Sequence, residues 1–101
     1  MTREQKQQCK QIFEHYGEEN QLNKTTEEAG ELVQAIAKYR NEPTEENRTH
    51  LAEECADTLI MIQQLKEVVG DKVDEFIQYK LNRQLKRIED EKNLSSMSKG
   101  I

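Results

Sequence analysis

The residues best able to do chemistry in this chain are acids set into apolar helical stripes: Glu27, Glu28 and Glu31 in TTEEAGELVQAI (25–36), and Glu53, Glu54 and Asp57 in LAEECADTLIMI (51–62). At about 100° per residue, Glu28 shares one side of a helix with Leu32, Ala35 and Tyr39, and Glu31 borders that side. Glu54 likewise shares a side with Thr58, Met61 and Leu65, and Asp57 lies beside Val68. Glu53 falls on another side, and Glu27 falls with Lys38, so both read as solvent-facing. Each segment therefore turns an i, i+3 pair of carboxylates inward, and residues at that spacing are neighbours on a helix surface.

The loop between the segments sets their relative height. Glu31 lies nine residues before Arg40 and Glu54 nine residues after Glu45. An antiparallel hairpin with a short connection then puts both about 14 Å from the turn, at 1.5 Å per residue. Glu28, Glu31, Glu54 and Asp57 converge. Two like charges about 6 Å apart repel by roughly 3 kcal/mol at an effective dielectric of about 20, so something must offset the cluster. Proton sharing is one answer. All-oxygen ligation by a hard cation, Mg²⁺ or Mn²⁺ in preference to Zn²⁺, is the favoured one.

A complement follows downstream. Lys80, Arg83 and Arg87 recur at i, i+3 and i+7 beside Phe76, at the edge of an apolar face. Arg83 is twelve residues beyond Asp71 and Asp57 thirteen before Gly70, so a second hairpin brings this basic stripe to the level of the acids. Cation-held acids bordered by Lys and Arg suit a polyphosphate substrate, whose charge both would share.

These groups need helices to position them. Cys9, Ile12, Phe13 and Tyr16 mark a helix over about 3–18, ended by Gly17, with Asn20 or Asn23 starting the next. The second runs over about 22–40 and stops at Pro43; Thr44 caps the third, over about 45–69, whose apolar residues occupy most of its circumference and make it the central helix. Gly70 closes it and Asp71 caps a fourth helix reaching about 91. The residues after 92 lack periodicity, so 1–92 reads as one all-α domain and 93–101 as a flexible tail. His15 and His50 read as surface or helix-end residues, and Tyr16 and Tyr39 as core or pocket-wall residues.

Composition agrees. Of 101 residues, 34% are hydrophobic and 35% charged, with one proline and four glycines, a balance that suits amphipathic helices over strands. A net charge of −5 argues against stable nucleic-acid binding through a broad basic face. No apolar run approaches a membrane span and the N-terminus has no secretory h-region. Cys9 and Cys55 lack metal-site spacing and read as buried free thiols of a reducing cytoplasm.

In the pairing of Glu27-Glu28-Ala29-Gly30-Glu31 with Glu54-Cys55-Ala56-Asp57, the chain resembles the MazG-like all-α nucleoside triphosphate pyrophosphohydrolases, whose signature is EExxE followed by ExxD. The likeness spans about residues 15–88, with YGEENQLNK upstream and KLNRQLKR downstream. It implies a four-helix bundle completed by oligomerisation, as a homodimer or homotetramer. It also implies that Glu28, Glu31, Glu54 and Asp57 bind Mg²⁺, with Mn²⁺ as a substitute, and that Glu27 orients water from an outer shell. Lys80 and Arg83, with Arg87 on the same stripe, would hold phosphate oxygens, and Gln21 and Asn82 would help place the nucleotide. The implied reaction converts a (deoxy)nucleoside triphosphate to the monophosphate and pyrophosphate, for nucleotide-pool control or house-cleaning.

Two other readings use the same residues: an ion-paired helical bundle in which the acids bridge to Lys and Arg, and a non-catalytic helical oligomer that serves as an interaction module with a structural cation site.

Overall fold

A computed structural model describes residues 1–99, and side chains through residue 97. The fold is all-α, as expected, with helices α1 (Arg3–Tyr16), α2 (Glu18–Asn41), α3 (Glu45–Val69) and α4 (Lys72–Lys99). The chain divides into two compact units, the first Met1–Gly70 and the second beginning at Asp71. Within the first unit, α2 and α3 make the most extensive contact, and α1 packs on both, mainly on α3.

The local reasons lie in the caps. Thr2 opens α1 with a reciprocal pair: its Oγ1 accepts from the Gln5 amide (3.1 Å) while its own amide donates to Gln5 Oε1 (2.9 Å). Gly17, at φ +88°, ends α1 by donating to the Phe13 carbonyl, and also begins α2. Only glycine takes this conformation cheaply, so the chain reverses over a single residue. The second helix thus starts at Glu18, two residues before Asn20 and five before Asn23. Glu18 and Glu19 in its first turn favour that early start through the helix dipole.

Pro43 ends the α2 hydrogen-bond ladder, and Thr44 Oγ1 accepts from the Asn47 amide to begin α3 (3.2 Å). The buried Asn47 side chain donates back to the Glu42 carbonyl at 2.9 Å, so the α2–α3 turn is fastened from both sides. Gly70, at φ +72°, closes α3. The fourth helix starts on the carbonyl of Asp71, which accepts from the amides of Asp74 and Glu75.

That helix continues to Lys99, past the point near 91 where apolar periodicity ends. An i, i+4 pair between Lys86 and Asp90 at 3.6 Å supports the turns before that point, and beyond it the helix formers Lys92, Leu94 and Met97 are interspersed with the weaker Asn93, Ser95 and Ser96. Residues 93–99 of the expected tail are helical, and Gly100 and Ile101 lie outside the described residues.

Among the described residues, the buried apolar set is small: Cys9, Ala35 and Met61. Cys55, expected to be buried, is exposed, because the three helices of the first unit cover one side of α3 and Cys55 lies off it. The same geometry leaves Leu59 at 59%, Val33 at 66% and Ile62 at 40% exposure. The apolar residues distributed around α3 therefore exceed what its own chain covers. No helix among the described residues is long and apolar enough to cross a membrane.

Candidate metal and nucleotide site

The register of α2 against α3 builds the site. Gln21 meets Gln64, Glu28 meets Glu54 and Asp57, and Lys38 shares a cavity with His50, so position rises along one helix as it falls along the other. This is the antiparallel hairpin that the loop length implies.

At its middle, Glu28 from α2 and Glu54 and Asp57 from α3 each offer a carboxylate oxygen, all within 4.8 Å of one another. Glu28 and Glu54 are buried and Asp57 is exposed. Glu31 is exposed and stands outside this trio, but it lines a cavity of 370 Å³ with Glu54, Gln34, Lys38 and His50. Its charge is felt at Glu54. Burial, then the charges of Glu31 and Asp57, hold the Glu54 carboxyl above the usual carboxylate range. Glu27 points outward, its side chain 66% exposed and 3.7 Å from Lys24.

Each buried acid has a basic side chain near one oxygen and is bare at the other. Lys24 Nζ lies 3.2 Å from Glu28 Oε1, and His50 Nε2 lies 3.9 Å from Glu54 Oε1, in both cases from the i−4 position. Glu28 Oε2 and Glu54 Oε2 are buried without a hydrogen-bond partner. Ionised carboxylate oxygens only accept, and leaving them unpaired in the interior is costly. Unpartnered hard oxygens that converge from two helices fit a Mg²⁺-type cation, and no His or Cys among the trio recommends a softer one. The Glu28 hydrogen bond and charge, with the charges of Glu27 and Glu31, in turn push the Lys24 ammonium pKa up.

Beside the cluster, on the side away from the α2–α3 turn, lies a second cavity of 470 Å³ whose walls include Tyr16, Asn20, Gln21, Lys24, Met61 and Gln64. Gln21 is buried there, its Nε2 donating to Gln64 Oε1 at 2.7 Å. Gln64, at 1% exposure, passes the chain on to Met61 Sδ at 3.7 Å.

The basic residues expected at the site stand on α4, in the second unit, and all are exposed. Lys80 lines a shallow cavity with Val73, Phe76 and Ile77. The Arg83 guanidinium lies 5.6 Å from the Tyr79 ring centroid, Asn82 Oδ1 accepts from Gln78, and Arg87 donates to Gln84 Oε1. Lys24 and Gln64 have no part in the sequence reading, which takes Lys38 only as a neighbour of Glu27 and His50 only as a surface or helix-end residue, and none of the four as part of the site. The i, i+4 spacing of Lys24 to Glu28 and of His50 to Glu54 was the available signal for two of them, whereas nothing in the pattern distinguishes Gln64 from a surface glutamine.

A family model described as the MazG nucleotide pyrophosphohydrolase domain matches residues 16–88. The chain belongs to this family. The matched span holds every acid of the cluster and also Lys80, Asn82, Arg83 and Arg87, while most of α1 and the end of α4 lie beyond it. No curated protein and no solved structure matches the chain. Nucleotide pyrophosphohydrolysis is the activity the family suggests, and the family's usual dependence on a divalent cation agrees with the acidic cluster.

Proposed function

We propose that this protein is a Mg²⁺-dependent nucleoside triphosphate pyrophosphohydrolase that releases a (deoxy)nucleoside monophosphate and pyrophosphate. The observation that carries this reading is the convergence of Glu28, Glu54 and Asp57 with two buried, unpartnered carboxylate oxygens. Such an arrangement disfavours itself unless a cation joins it. Mg²⁺, with Mn²⁺ as a substitute, would be held by Glu28, Glu54 and Asp57, with Glu31 from the edge of the neighbouring cavity. When bound, it supplies Lewis acidity at the phosphoryl oxygens and lowers the pKa of water.

The chain's own residues do the rest. Before a cation binds, Lys24 holds Oε1 of Glu28 and His50 stands 3.9 Å from Oε1 of Glu54, so that both Oε2 atoms stay presented. Glu27, exposed next to the cluster, orients the attacking water. Lys80, Arg83 and Arg87 bind phosphate oxygens, and Asn82 and Gln21 help place the nucleotide, a reading supported by the inclusion of all five in the family match. Water adds to phosphorus at the α–β anhydride, its proton passing to solvent, the bridging P–O bond breaks, and pyrophosphate leaves toward Lys80, Arg83 and Arg87, whose charge offsets its own; a bound cation would share that charge. The exposed apolar residues of α2 and α3 support a homodimer or homotetramer. Two free cysteines support a cytoplasmic setting.

The test is a panel of ribo- and deoxyribonucleoside triphosphates incubated with and without Mg²⁺, with the products separated. Monophosphate and pyrophosphate formed only with metal support the reading. Mg²⁺ binding with no turnover of any nucleotide would favour the helical interaction module with a structural cation.

A further inference from the structure

Lys24 is the residue common to the acidic cluster and the cavity beside it. Its ammonium is hydrogen-bonded to Glu28 Oε1 at 3.2 Å, and its side chain, half exposed, forms part of the wall that also includes Tyr16, Asn20, Gln21 and Gln64. A lysine four residues before a glutamate usually marks a weak surface pair. Here the glutamate is buried, and its other oxygen has no partner. Among the described residues the ammonium is the positive charge paired with Glu28, and it stands where the cavity wall meets the acidic cluster.

The geometry points to Lys24 as a displaceable counter-ion that gives up Glu28 to the incoming divalent cation and then binds a non-bridging oxygen of the substrate's α-phosphate. This assignment rests on the pyrophosphohydrolase reading of the site. A cation reaching Glu28 repels the ammonium and takes over its electrostatic partner. Lysine carries its charge on a flexible stem with three rotatable donors, so it can exchange partners without a change in the helix. The cavity is roomy enough for a nucleoside, and its apolar walls with buried amides have the character of a small-molecule site. With the nucleoside there and the phosphates on the cation, the α-phosphate is the group that lies between them. On that placement the β- and γ-phosphates fall on the cation's side, away from Lys24. Lys24 therefore recognises the part of the substrate retained in the monophosphate product.

The experiment compares wild-type protein with Lys24→Met and Lys24→Arg by calorimetric titration, first with Mg²⁺ alone, then with a nucleoside monophosphate or with inorganic pyrophosphate in saturating Mg²⁺. The nucleotide is the best substrate of the panel in its product form. Lys24→Met should bind Mg²⁺ more tightly, because a competitor is gone, and bind monophosphate about tenfold more weakly, the scale of one lost charge-assisted hydrogen bond. Pyrophosphate affinity should stay within about twofold, and Lys24→Arg should recover most of the monophosphate affinity, since the donor charge is kept. Unchanged monophosphate affinity in Lys24→Met, or a parallel fall in Mg²⁺ affinity that marks a merely structural clamp, would overturn the assignment. Wild-type protein that binds neither Mg²⁺ nor monophosphate would overturn the pyrophosphohydrolase reading together with it.

Discussion

Gln21 on α2 donates a 2.7 Å hydrogen bond from Nε2 to Oε1 of Gln64 on α3, and both side chains are buried. This amide pair pins the end of the hairpin opposite the turn, as Asn47 pins the turn itself. It fixes the register that brings Glu28 level with Glu54 and Asp57. Truncating one partner strands the other in the interior. Gln64→Leu should therefore destabilise the protein by about 2 kcal/mol, whereas replacing both Gln21 and Gln64 by leucine should cost less than the sum of the two single leucine changes. Chemical denaturation of the two singles and the double makes the check, and strict additivity would dissolve the pair as a unit.

Glu54 makes the metal-free fold pH-dependent in an unusual direction. Burial, Glu31 and Asp57 raise its folded-state pKa, Glu28 adds to them, and His50 acts the other way. A carboxyl whose pKa is higher folded than unfolded makes the folded state bind more protons across that interval, so stability falls as pH rises from the ordinary carboxylate pKa through the elevated one. Above it this contribution is flat. Mg²⁺ affinity should rise over the same interval, because the ligand must be ionised. Glu54→Gln should flatten the thermal-stability profile in chelator, leave metal-free stability equal or higher, and weaken Mg²⁺ binding. A marked loss of metal-free stability in Glu54→Gln would instead identify the carboxylate as a structural ion-pair partner.

Lys80 and Arg83 present exposed cations on one stretch of α4 within the family span. The proposed phosphate role has them act on substrate and leaves the cation to the acids. Lys80→Ala and Arg83→Ala should raise KM or lower kcat by about tenfold or more, as loss of a charge-assisted contact does, with the Mg²⁺ dissociation constant unchanged. Steady-state kinetics beside a metal titration separates the two effects. Wild-type kinetics in both variants would remove the stripe from substrate binding.

Much of this was legible in the sequence, for reasons particular residues make plain. Gly70, Pro43 and Thr44 set helix boundaries through backbone chemistry that no tertiary contact overrides, and the third helix falls where they put it. Helical angle puts Glu28 and Glu54 on the apolar stripes of their helices, and the packing of α2 on α3 buries them, whereas Glu31 and Asp57, which border those stripes, stay exposed. What lay beyond reach depended on packing between elements. Helical spacing marked Cys55 as apolar-facing, yet the three-helix unit leaves it exposed, because periodicity tells which residues share a face and not which face is covered. The Gln21–Gln64 pair was illegible for a related reason: a glutamine is buried only where another element brings its partner, here 43 positions away. The early start of α2 required the positive φ of Gly17, which one residue uses both to end a helix and to begin the next.

The most direct test of the central claim is the rate of pyrophosphate release from the best nucleoside triphosphate substrate, followed against Mg²⁺ concentration in wild-type protein and in Glu28→Gln. The Glu28–Glu54–Asp57 cluster as the seat of the required cation predicts saturable Mg²⁺ dependence in wild type. It also predicts a half-saturation at least about tenfold higher in the variant, which loses one anionic ligand. Release that is independent of Mg²⁺, or that responds to it identically in both proteins, would contradict it.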